Sequence, residues 1–166
     1  YNFELFTDEC SFTDDTICTV AIADALLHGA DYGVSLHTWC RKYIHPKGGY
    51  GGRFRQWVLS DEPHPYNSFG NGSAMRVSPI AWQNLNADRM IYEAEKTAAC
   101  THNHPEGIKG AQTIALAIHY GYELRRQSTQ INREDILNKF KKVLEFSGYD
   151  INIRREDVIN KFDETC

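Results

Sequence analysis

The sequence predicts an all-α protein. Apolar residues recur at helical spacing along most of the chain, these segments begin at capping residues and stop at Gly or Pro, and strand signals are weak throughout. The chain has 166 residues, which suits a single domain over residues 1–166 and is short for two.

The first helix is expected from Asp14 to Leu27. Ile17, Val20, Ala21 and Ala25 mark one face, acids fill the first turn, and Gly29 stands just past the end. Leu36, Trp39, Cys40, Tyr43 and Ile44 fall at i, i+3, i+4, i+7 and i+8, so they predict a second helix. Ser35 is its expected cap and Pro46 its stop. A glycine-rich loop over 46–52 follows, then a short helix around Phe54, Trp57 and Val58. Residues 63–72 contain two prolines, two asparagines and two glycines and read as an extended loop.

Another helix is expected after Asn86, with Met90, Ile91, Ala94 and Ala98 on one side. Pro105 suits a first helical position and opens a segment that runs to Gly121. Its residues Ile108, Ala111, Ile114, Ala115, Leu116, Ala117 and Ile118 are apolar nearly all round, which predicts a central, buried helix. The last third carries a partial repeat, since the stretch from Ile131 to Phe140 is echoed from Ile153 to Phe162. Two copies are too few for a solenoid, so they are expected to form two surface helices without catalytic content.

Composition narrows the function. Apolar residues make up 42% and charged ones 24%, as in an ordinary globular chain. A net charge of -4, with no basic stripe, argues against nucleic acid as a partner. No apolar run is long enough for a membrane span, and no signal peptide is visible. Tyr1 rather than Met opens the chain, so the natural start is expected to lie upstream. Five scattered cysteines without a C-x-x-C pair suggest a reducing, cytoplasmic setting, with most of the thiols packed as small hydrophobes.

Three short stretches could carry chemistry. Phe12-Thr13-Asp14-Asp15-Thr16 gathers oxygen ligands of the hard kind that suits Mg²⁺ or Mn²⁺, although Thr followed by acids also suits a helix start. Gly70-Asn71-Gly72-Ser73-Ala74-Met75-Arg76 offers small residues for close backbone approach to a phosphate, with Arg76 as a further anion contact or as partner to an acid of the fold. Thr101-His102-Asn103-His104-Pro105 leads into the apolar helix with two imidazoles, a hydroxyl and an amide. No third nitrogen or sulfur ligand accompanies the histidines, so hydrogen bonding to ligand hydroxyls or phosphate is the better functional reading. Each stretch taken alone is also what plain caps and turns look like.

Together, and in this order, the three stretches resemble the ADP-ribosylglycohydrolase family, which includes the dinitrogenase reductase-activating glycohydrolase. The likeness is clear from Phe12 to about Ala111 and looser beyond. It implies a compact, orthogonal all-α helical bundle with two divalent ions in a cleft. By that likeness Thr13, Asp14 and Asp15 are metal ligands, with Asp14 and Asp15 carrying catalysis through the metal. Gly70, Asn71, Gly72, Ser73, Met75 and Arg76 correspond to the loop that cradles ADP-ribose, and His102 and His104 to positions lining the same pocket. The implied activity is a glycosidase reaction, the Mg²⁺- or Mn²⁺-dependent hydrolysis that frees ADP-ribose from ADP-ribosylated protein, typically on arginine, or from a small conjugate.

The family's upstream Gly-Asp-containing helix and its C-terminal Gly-Gly-Asp-x-Asp-Thr motif do not occur in this sequence. The chain is therefore expected to be truncated at both ends, with part of the metal shell outside it. Two other functions stay open beside the hydrolase: an ADP-ribose-binding module or inactive fragment without catalysis, and a bare helical scaffold.

Overall fold

In the computed structural model, residues 4–83, 85–127, 130–150 and 152 are described. Among them are eight helices and no strand: α1 (Asp14–His28), α2 (Tyr32–Lys42), α3 (Gly52–Leu59), α4 (Gly72–Met75), α5 (Ser78–Ala81), α6 (Ala87–Ala99), α7 (Pro105–Gln127) and α8 (Arg133–Ser147). The all-α expectation is met. None of the described helices is long and apolar enough to cross a membrane.

Local chemistry sets most of the boundaries. α1 carries Asp14 and Asp15 in its first turn, where the helix dipole favours acids, and ends at Gly29, whose φ of 64° is left-handed. Its buried face is Ile17, Cys18, Ala21, Ile22 and Ala25, whereas Val20 turns toward solvent. The α6 start is fixed by Asn86, which accepts from Arg89 N at 2.9 Å, and the α8 start by Asn132, which accepts from Asp135 N at the same distance.

Three expectations need correction. α2 begins a turn before Ser35, because Asp31 is the cap: its Oδ1 accepts from Val34 N at 2.9 Å. Ser35 lies inside the helix, buried, and donates to the Ala21 carbonyl at 2.7 Å, tying α2 to α1. α7 passes through Gly121 to Gln127, and it is not covered all round, since Ile114 stays 42% exposed while Ala111, Ala115 and Leu116 are buried. Of the repeat, the first copy forms the start of α8; the second falls outside the described residues. Cys18 and Cys40 are buried as expected, but Cys10 is exposed.

Two apolar clusters share α1. One joins Ile22 to Val77, Ile80, Met90, Ala98, Ala111 and Leu116, and the other joins Ile17 and Cys18 to Leu36, Cys40, Trp57 and Val58. Alanines dominate where α6 meets α7, so the backbones approach closely there. Tyr32 adds a polar tie, donating to Glu93 Oε2 on α6 at 2.9 Å, and Arg89 pairs with the other oxygen of that carboxylate. The α1 N-terminus and the short α4 are thereby held beside the α6–α7 turn.

Candidate functional site

A cleft of about 320 Å³ opens where these pieces meet. It is lined by Asp14 from the start of α1, Gly70, Asn71, Gly72, Met75 and Arg76 from the loop and α4, and His102 from the α6–α7 turn. The three stretches singled out in the sequence therefore face one space.

The loop is held in place from behind. Tyr66 N donates to the Thr101 carbonyl at 3.3 Å, and Asn67 N to Asn103 Oδ1 at 2.7 Å. Ser73 is buried and donates to the Gly107 carbonyl at 2.7 Å, so it anchors α4 to the first turn of α7 and does not line the cleft. Glycine at 72 follows from crowding: a β-carbon there would stand 3.0 Å from both His102 Cε1 and Nε2.

Arg76 lines the cleft yet is fully buried. Its Nη2 donates to the Thr97 carbonyl at 2.9 Å and to Thr101 Oγ1 at 2.8 Å, bracing the end of α6, and no acid of the fold pairs with it among the described residues. Its Nε is buried without a partner. A buried cation of this kind holds a positive potential behind the glycine loop. His102 is only 4% exposed, and its Nδ1 lies 2.7 Å from Thr101 Oγ1. Burial, helped by the Arg76 charge, pushes its pKa down to about 4, so the imidazole is neutral near pH 7.

His104 stands apart from the cleft lining. Its Nδ1 accepts from Glu106 N at 3.1 Å, a contact that helps start α7, and its ring lies 5.4 Å from that of Phe69. Thr13 and Asp15 adjoin Asp14 without lining the cleft themselves. Thr13 makes no side-chain cap; its hydroxyl donates to Asp15 Oδ2 at 3.4 Å, and its backbone bridges to Lys47. Neither Asp14 nor Asp15 has a cationic partner among the described residues.

One hydroxyl and two uncompensated carboxylates, all hard oxygen donors, fit part of the shell of a cation such as Mg²⁺. Among the described residues no set of three His, Cys, Asp or Glu side chains completes it.

The rest of the lining comes from residues that carry no motif: Gly51, Gly52, Arg53, Phe54, Tyr66 and Ser68. Arg53 packs over the Tyr66 ring at 5.0 Å and donates to its carbonyl, so α3 and the loop close one wall together. The glycine pair at the start of a helix was the available signal, because it repeats on α3 the open backbone of the Gly70–Gly72 turn. The family model for ADP-ribosylglycohydrolase matches residues 3–164 of the chain.

Proposed function

The chain belongs to the ADP-ribosylglycohydrolase family, and on that premise we propose that it is a divalent-metal-dependent hydrolase that frees ADP-ribose from ADP-ribosylated protein. An arginine linkage is the favoured target, with small ADP-ribose conjugates as the alternative. The observation that supports this most is that Asp14, the Gly70–Gly72 turn and His102 share one cleft.

The division of labour follows from their chemistry. The glycine turn lets diphosphate or ribose oxygens approach the backbone closely, with Arg76 supplying positive potential behind it. His102, neutral and buried, hydrogen-bonds a ligand oxygen. Tyr66 and Phe54 offer flat apolar faces to the sugar or base. In the reaction the bond from the anomeric carbon to the guanidine nitrogen breaks, water supplies the new C–O bond, and the guanidine leaves with a proton. Positive charge grows on the sugar ring in between. Thr13, Asp14 and Asp15 would hold the cation, Mg²⁺ or Mn²⁺, which when bound supplies Lewis acidity and an acidified water. Free thiols at Cys10, Cys18, Cys40 and Cys100 fit a cytoplasmic setting.

A second reading, ADP-ribose binding without turnover, is favoured by the short ligand set among the described residues. One experiment separates the two. The chain is incubated with ADP-ribosylated arginine, with and without Mg²⁺ or Mn²⁺, and free ADP-ribose is quantified beside a calorimetric titration with ADP-ribose. Metal-dependent release supports the hydrolase, and binding without release supports the second reading. Neither binding nor release removes both.

A further inference from the structure

Thr101 is completely buried, and Arg76 and His102 converge on its hydroxyl, with the Cys100 sulfur beside it as a weak acceptor. Arg76 Nη2 lies 2.8 Å away and His102 Nδ1 2.7 Å away. A guanidinium has only donors, so the Thr101 oxygen accepts from Arg76. The hydroxyl proton then needs an acceptor of its own, and water cannot reach it. His102 Nδ1, at 2.7 Å, is a much stronger acceptor for it than the Cys100 sulfur. Nδ1 is therefore the bare ring nitrogen, and the neutral imidazole carries its proton on Nε2.

Nε2 faces the glycine turn. A β-carbon on Gly72 would lie 3.0 Å from it and one on Gly70 3.9 Å. In the opposite tautomer Nδ1 would donate to Thr101 Oγ1, leaving only the weakly accepting Cys100 sulfur for the hydroxyl hydrogen in a buried site.

We infer that Arg76 and Thr101 are positioning residues, a relay that fixes His102 as a hydrogen-bond donor through Nε2 and reserves its place in the cleft for an oxygen acceptor of the ligand. Such a histidine is not the general base. The relay itself is a property of the ligand-free protein; that the acceptor is a phosphate or ribose oxygen rests on the ADP-ribose reading above.

The test is long-range ¹H–¹⁵N NMR on the full chain with ¹⁵N-labelled histidine, the His102 signals being assigned by their loss in His102→Gln. Wild type, Thr101→Ser and Thr101→Val are compared, each followed by ADP-ribose titration. The wild type and Thr101→Ser are expected to show the proton on Nε2, and Thr101→Val a mixture of tautomers. Affinity for ADP-ribose should fall about tenfold in Thr101→Val and return in Thr101→Ser, the scale of one hydrogen bond.

A proton on Nδ1 in the ligand-free wild type overturns the relay, as does an unchanged tautomer in Thr101→Val. Equal affinities in the Val and Ser variants overturn the reserved acceptor. If Thr101→Val does not fold, the wild-type and Thr101→Ser spectra still decide. A wild type that holds the proton on Nε2 but binds no ADP-ribose keeps the relay and removes the ADP-ribose reading.

Discussion

The carbonyl oxygen of Ser68 occupies space that any side chain on Gly107 would need: a β-carbon there would lie 2.6 Å from it. The same β-carbon would stand 3.0 Å from His102 Cβ, so three segments meet with no slack at the start of α7. Gly107→Ala must push the loop outward or bend the helix start. The expected cost is about 1–3 kcal/mol, typical of overpacking. Because the displaced loop carries Gly70 and Gly72, ADP-ribose binding should weaken with it. Thermal melts and a binding titration on the same variant check both; a melt and an affinity equal to wild type would mean that the three segments yield without cost.

Arg76 turns from a ligand arm into a brace. The sequence offered it as an anion contact, but its Nη2 is spent on Thr97 and Thr101 and the side chain is fully buried. Arg76→Ala should therefore cost about 2–4 kcal/mol, since it leaves a cavity and buried acceptors unpaired. Arg76→Lys should recover only part of this, because the lysine ammonium ends one bond short of the Nη2 position and fills less of the buried space. Chemical denaturation of both variants measures it. A loss of ligand affinity with unchanged stability would return Arg76 to a purely ligand-facing role.

Much of the fold is legible in the sequence. Asn86, Pro105 and Gly29 are local signals, and each sits at a real helix boundary because capping depends on the nearest few residues alone. The first turn of α2 was hidden by Gly33, a weak helix former; the glycine is there for packing, since a β-carbon would meet Cys100 Cβ at 3.2 Å. Convergence of the Asp14, Gly70 and His102 stretches followed from their resemblance as a set. The Arg53–Tyr66 wall did not, because Tyr66 reaches the cleft only through a long-range hydrogen bond to Thr101, and no periodicity encodes such a contact.

Acid should unfold the protein partly through His102. Its folded pKa, about 4, lies below the ordinary 6.5, so between those values the unfolded chain binds a proton that the folded chain refuses. Stability from this group is fully present above about pH 6.5 and is lost as the pH falls toward 4, on the order of 3 kcal/mol in all. The groups acting on the imidazole are the Arg76 cation, which opposes protonation, and the Tyr66 ring at 6.1 Å, which is uncharged in this range. His102→Gln should flatten the stability profile across that window. Denaturant titrations at several pH values give the slope, and a slope that survives the substitution would assign it to other groups.

The acids at the start of α1 separate metal binding from helix capping by size of effect. If their work is only to complement the helix dipole, replacing either costs about 0.3–1 kcal/mol and nothing else. If they hold a divalent cation, Asp14→Asn and Asp15→Asn should each lose Mg²⁺ or Mn²⁺ affinity by well over tenfold, since removing a carboxylate from so small an oxygen set takes away both charge and donor. Asp14 also lines the cleft, so its variant should lose ADP-ribose release as well. Circular dichroism should stay unchanged in both, because the buried face of α1, from Ile17 to Ala25, is untouched. Metal titration by calorimetry, run beside the melts, reads the two effects independently. Metal affinity that survives in both variants, with only the small dipole cost in stability, would leave Asp14 and Asp15 as capping acids and take the cation out of the proposed reaction.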